Sequence, residues 1–251
     1  MLSLIKKDSI FFCFNIYKRL LVFLGVLFFV VIALYYFTAD KGNTILIKDF
    51  FYGIALEDLK KNIYSFPIFW FVYYLFQIFI IGDFFWLDFK FRLPIIIGVQ
   101  YKRLQIVFSR IINLVLFTSF YNVVFFLVLY CVQHPDKSTI KLFGKELSYS
   151  NELMFKVFII CFLISIVING LYFLFNLFLS PILSSLIIVI YMAFSSKVYI
   201  SFNPLNYSML SRIDTKFFLF YFICFLSIAI IYVLSILFFV RKDIITKGEI
   251  Y

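Results

Sequence analysis

The chain has 251 residues, 65% of them hydrophobic and 14% charged, with a formal net charge of +10. Soluble domains carry about 25% charged residues, and a water-soluble fold of this length has no means of hiding so much apolar surface. The composition excludes an ordinary soluble domain. The basic residues are dispersed, with no run longer than two, which excludes a nucleic-acid patch and suits contact with anionic lipid headgroups instead.

Residues 1–18, MLSLIKKDSIFFCFNIYK, mix basic and apolar positions and predict an amphipathic helix lying on the inner leaflet. The charge-free tract Leu20–Ala39 follows. Fourteen of its residues are Leu, Ile, Val or Phe, favouring bilayer insertion by about 4 to 8 kcal/mol in sum. It is too long for a signal peptide core, and YYFTADKG lacks a small-x-small cleavage site, so a retained span is expected. Residues 40–61 carry charges of both signs, as a solvated outer segment does.

Four more charge-free tracts are Asn62–Gly82, Ile111–Pro135, Val157–Ser196 and Phe217–Val240. The tract Val157–Ser196 is too long for one span, and Asn176, Ser180 and Pro181 interrupt it, so it reads as two helices joined by a tight turn. The expectation is an all-α integral membrane protein forming a single membrane domain over residues 1–251. Its six spans fall at about 20–39, 63–82, 107–131, 155–176, 181–196 and 217–240. With both termini inside, Arg19, Arg92, Arg103, Arg110 and Arg241 are cytoplasmic and only Arg212 is outside, the asymmetry that orients membrane proteins.

Catalytic chemistry is not expected. The single histidine, His134, lies beside Pro135 in an outer loop, so no metal ligand set or nucleophile–base pair is predicted. Cys13, Cys131, Cys161 and Cys224 lie in or beside apolar stretches without metal-type spacing. No Gly-x-x-x-x-Gly-Lys loop is present to cradle a nucleotide. Span polarity is confined to amides and hydroxyls. Gln77, Asn113, Asn122, Asn169 and Asn176 are read either as helix–helix hydrogen-bonding groups or as residues lining a path.

The exception to the oily pattern is DFFWLDFKFRLPIIIGVQYKR, Asp83 to Arg103, between the second and third spans. Asp88 and Arg92 are four apart and would pair on one face of a helix. The aromatics and Arg92 suit an interface with another protein. Pro94 disfavours helix at the residue before it, and Gly98 permits a turn before the next helix near Tyr101.

Here the chain resembles the permease subunits of type-2 ABC exporters. In that family an acid ends the second span, a short coupling helix follows, and a basic segment leads into the third span. Asp83 matches the acid, Phe84–Leu93 the coupling helix, and Tyr101, Lys102, Arg103 and Arg110 the basic lead-in. Where the family often carries Pro-x-x-Arg, this chain reads VQYKR. NPLNYSML, Asn203 to Leu210, resembles the family's Asn-Pro motif in short re-entrant helices between the last two spans, and FFVRKDI resembles its basic ending.

The resemblance implies an ATPase-coupling interface of Asp83, Phe84, Trp86, Asp88, Lys90, Arg92, Tyr101 and Arg103, and an outer motif at Asn203 and Pro204. It further implies a non-catalytic chain in a bacterial plasma membrane, paired with a second permease chain and two ATPase subunits. Those ATPases would hold ATP and Mg, leaving no cofactor on this chain. The cargo would be hydrophobic or amphipathic, such as antimicrobial or toxin-like peptides. The alternative is a non-transporting membrane anchor or sensory subunit.

Overall fold

A backbone in hydrocarbon must satisfy its own N–H and C=O groups, and the helix does this within one segment. The computed structural model describes residues 2–39, 50–88, 102–132, 149–212 and 217–241, and every regular element among them is helical. The helices are α1 (Leu2–Ala39), α2 (Leu56–Lys60), α3 (Ile68–Leu87), α4 (Arg103–Val132), α5 (Tyr149–Asn176), α6 (Pro181–Lys197) and α7 (Phe217–Arg241). Two 3-10 turns, Pro204–Ser208 and Leu210–Arg212, lie between α6 and α7.

Among the described residues, three helical stretches are long and apolar enough to cross a membrane: Arg103–Cys131, Met154–Asn176 and Phe218–Arg241. A fourth is added if Leu4–Phe11 and Ile16–Leu27, bent by 51°, count as one broken span. The apolar helix Ile68–Gly82 and the helix Pro181–Lys197 are shorter, at about 22 and 25 Å against a hydrocarbon core of about 30 Å. Six spans of full length are therefore not what the described helices supply. The helix expected over 63–82 is displaced along the chain: Asn62 has a positive φ of 56° and residues 63–67 are non-helical, so it starts only after Pro67.

Two further expectations are corrected. The N-terminal helix and first span were placed on either side of residue 19, whereas α1 is assigned helical throughout and bends between Phe11 and Ile16. The second helix was expected to end at Asp83, but α3 runs on to Leu87, with no glycine or proline after Gly82 to stop it in that stretch. By contrast α5 stops at Asn176 and α6 starts at Pro181. Ser180 caps α6, its hydroxyl accepting from Leu183 N at 3.4 Å, with Pro181 in the first helical position.

Burial orders the bundle. In α5, 72% of the apolar window is buried, against 28% in α7, so α5 is central and α7 peripheral. α5 packs against α3, α4, α6, α7 and the first 3-10 turn. Phe218, Phe222, Phe225, Ile230 and Val233 point outward from α7, as lipid-facing side chains do. An aromatic cluster joins α1, α3 and α4. Phe23 stacks on Tyr121 at 4.6 Å, and Tyr73 meets Phe125 edge-on at 4.5 Å.

Candidate functional site

Three polar sites interrupt the apolar interior. The first is ionic. Arg110, two turns into α4, is fully buried with Asp8 of α1 and Asp88 at the end of α3. Its Nη1 donates to Asp8, its Nη2 donates to Asp88 Oδ1 at 2.9 Å, and its Nε lies 2.5 Å from Asp88 Oδ2. Asp88 therefore takes one charge-assisted hydrogen bond and one close ionic contact from the guanidinium. Ser109 also donates to Asp8, at 2.5 Å. One turn along, the Ser9 hydroxyl lies 2.8 Å from Ile5 O and 2.6 Å from an amide atom of Asn113. With the Asn113 amide nitrogen turned toward Ser9, the hydroxyl gives its one hydrogen to Ile5 O and accepts from Asn113.

Burial changes how Asp88 is read. The sequence suggested an Asp88–Arg92 pair on a solvated loop; Arg92 lies outside the described residues, and Asp88 is enclosed with Arg110. The physical reason is cost. A carboxylate in this apolar bundle needs a charged partner, and α4 presents one.

The second site is neutral and central. Gln77 of α3 donates to Ser165 of α5 at 2.8 Å and accepts from Asn169 at 3.0 Å. Asn169 also donates to Thr118 of α4 at 2.9 Å, and Asn122 donates to Thr118 O at 2.7 Å. Tyr73 OH donates to Asn122, and Tyr121 OH to Tyr73 O at 2.8 Å. The chain of bonds ties α3, α4 and α5 together. Asn169 Oδ1 is left without a hydrogen-bond partner. Asn176 lies apart, donating to Tyr172 O at 3.0 Å, while Tyr172 OH reaches back to Gly82 O at 2.7 Å.

The third site closes the opposite end. Arg212 is buried without a carboxylate among its hydrogen-bond partners. Its Nε donates to Ile54 O at 2.8 Å and its Nη1 to Ser195 O at 2.8 Å. Nη1 also reaches Asn206 Oδ1 at 2.7 Å, and Nη2 reaches Ser196 O at 2.6 Å. Ser195 and Ser196 lie in the last turn of α6, whose carbonyls carry roughly half a negative charge. Burial presses the guanidinium below the ordinary arginine value, partly offset by the phenols of Tyr199 and Tyr64, but arginine remains charged in proteins. Asn203 caps the first 3-10 turn. Its Oδ1 accepts from Tyr191 OH at 2.8 Å and Leu205 N at 3.0 Å, while its Nδ2 donates to Ser195 Oγ at 2.7 Å. Pro204 holds the first position of that turn. Residues 203–209 are all buried, with Trp70 Nε1 donating to Ser208 Oγ at 2.6 Å. Tyr52 O accepts from Ser211 N at 2.9 Å. At Gly53, φ is +69° and an added Cβ would lie 2.4 Å from Met209, so only glycine lets this strand of chain approach so closely.

Of the residues singled out from sequence, Gln77, Asn122 and Asn169 share one network, and Asn203 and Pro204 share the third site with Arg212. Asp83, Phe84 and Trp86 lie in the last turns of α3. Arg103 opens α4 and donates to Val240 O of α7 at 3.0 Å. Lys90, Arg92, Tyr101 and His134 lie outside the described residues. Sequence reading passed over Asp8, although it is the only acid before residue 40 and stands alone in an apolar and basic segment. A solitary acid in α1 and an arginine two turns inside the apolar α4 are the signal that would have paired them. Among the described residues no group of three or more His, Cys, Asp or Glu comes together.

Compared with protein-family models, curated proteins and solved structures, the chain matches none of them.

Proposed function

We propose that this chain is the membrane-spanning permease subunit of an ATP-driven exporter of the type-2 ABC class, working in a bacterial plasma membrane with both termini inside. In this reading α1, α3, α4, α5, α6 and α7 are its six membrane segments, the shorter α6 being completed by the chain that caps it. The observation that carries it is the clasp of Asp88 by Arg110 at the end of α3. A segment that passes an ATPase's motion into a membrane bundle must be joined to that bundle stiffly, and coupling needs a continuous packed or hydrogen-bonded route. The charged stretch after Asp88 begins at such a joint.

With no nucleotide-cradling loop in the sequence, ATP and Mg belong to a partner ATPase, present in two copies beside two permease chains. The translocation path then lies between the permeases and takes a hydrophobic or amphipathic cargo, in keeping with the aromatic content of the bundle. The buried 3-10 turns after Asn203 serve as its outer cap. Pull-down from native membranes tests the proposal: an ATPase subunit is expected in the complex, and a chain that never retains one under mild detergent overturns it.

A second reading is a non-transporting anchor subunit. It is favoured by the central network, where Gln77, Asn122 and Asn169 spend their hydrogen bonds within the chain. Transport cargo that stimulates the complex's ATPase excludes it.

A further inference from the structure

We propose that Leu4–Phe11 is a strap that binds an anionic bilayer surface and transmits its hold, through Asp8 and Arg110, to the chain at Asp88. The strap is two-faced. Leu4, Asp8 and Ile16 are buried, whereas Lys6, Lys7, Ile10, Phe14, Tyr17 and Lys18 are exposed. Within the strap the exposed residues are Lys6, Lys7 and Ile10, and Phe14, Tyr17 and Leu21 continue the exposed apolar side past the bend. Asp8 is the only acid of α1 and is turned inward, so the outer face carries positive charge alone. The 51° bend after Phe11 sets the strap off the axis of the helix that follows. Two outward lysines beside an exposed isoleucine, with the only acid turned inward and exposed aromatics following past the bend, fit the boundary of acyl chains and phosphate headgroups. Anionic lipid is therefore the occupant.

The inner face makes the connection. Arg110 contacts both Asp8 and Asp88, and all three are sealed from water. With the strap in place, the Arg110–Asp88 pair works in a low dielectric. A lifted strap withdraws Asp8 and admits water, and an exposed ion pair is much weaker than an enclosed one. By linkage, whatever holds Asp88 also holds the strap. If the permease reading is right, on which this last consequence rests, bilayer charge regulates the segment that meets the ATPase.

Hydrogen exchange of the full chain tests this without any ATPase. The chain is placed in nanodiscs of phosphatidylcholine alone, or of an equal mixture of phosphatidylcholine and phosphatidylglycerol. Exchange in residues 2–12 and 84–92 should slow together in the anionic discs, by roughly fivefold for each lysine held at the surface. Lys6→Gln with Lys7→Gln should remove the lipid response from both segments. Asp8→Asn leaves the neutral Arg110–Asp88 pair and should keep the response at 2–12 while losing it at 84–92. A response at 84–92 that is absent in the unmodified chain, that survives Asp8→Asn, or that survives loss of the lysines overturns the proposal. The exchange pattern with no ATPase in the pull-down retains the strap and removes the permease reading; the reverse result does the opposite.

Discussion

Arg110 and Arg212 are both fully buried, yet the chain neutralises them by different means. Arg110 faces two carboxylates from distant segments. Arg212 faces three backbone carbonyls and one amide oxygen, two of the carbonyls at the C-terminal end of α6. The Arg110 cluster consists of full charges, so its parts are costly to separate and its integrity depends on three segments meeting. The Arg212 hub spreads one charge over fixed dipoles that the helix end must satisfy in any case.

The largest expected effect is at Arg110. Arg110→Met leaves two buried carboxylates without their counter-ion and should cost about 3–5 kcal/mol of stability. Detergent-resistant thermal unfolding measures it. Adding Asp8→Asn and Asp88→Asn to the same chain removes every charge and should restore much of the loss; no recovery would break the electrostatic account of the Arg110 cluster.

Arg212→Met should cost less, about 2–3 kcal/mol, because it orphans neutral acceptors rather than charges. The same unfolding assay ranks the two, and a loss equal to that of Arg110→Met would erase the distinction between the two sites. At the third site, Gly53→Ala adds a Cβ against Met209 in left-handed backbone and should cost about 1–3 kcal/mol. Met209→Gly in the same chain removes the Cβ, Cγ and Sδ that the new methyl would meet and should relieve the contact but not the backbone strain, giving partial recovery; complete recovery would show that the φ of Gly53 is not under constraint.

The smallest effect belongs to the central network. Coupling between Gln77 and Asn169, measured by a double-mutant cycle with Gln77→Met and Asn169→Leu, should be about 0.6 kcal/mol, the average for hydrogen bonds between membrane helices. A coupling several times larger would move the chain's main polar tie from the Arg110 cluster to the central network.

Helix breaks carried by local chemistry were legible at Asn176, Ser180 and Pro181, because a cap and a proline act within a few residues. Asn203 and Pro204 were singled out through the family resemblance alone, and the structure shows them capping and opening a 3-10 turn. Asp83 misled, since an acid at a helix end is no barrier to another turn when no glycine or proline stops it. The start of α3 misled too: hydropathy counts apolar residues, not where Asn62 and Pro67 delay a helix, whereas α6 begins and ends within a residue of its expected bounds.

By itself the sequence determined the solvent and the class of structure, because apolar runs of this length are stable only as helices in hydrocarbon. It also determined where tight turns occur, through proline, glycine and capping residues. Only the tertiary structure decided which charges meet. Asp8, Asp88 and Arg110 are separated by as many as 102 positions, and nothing in local propensity relates them. A buried charge is indifferent to sequence distance. It is settled by which helices pack together and by the cost of leaving it unpaired.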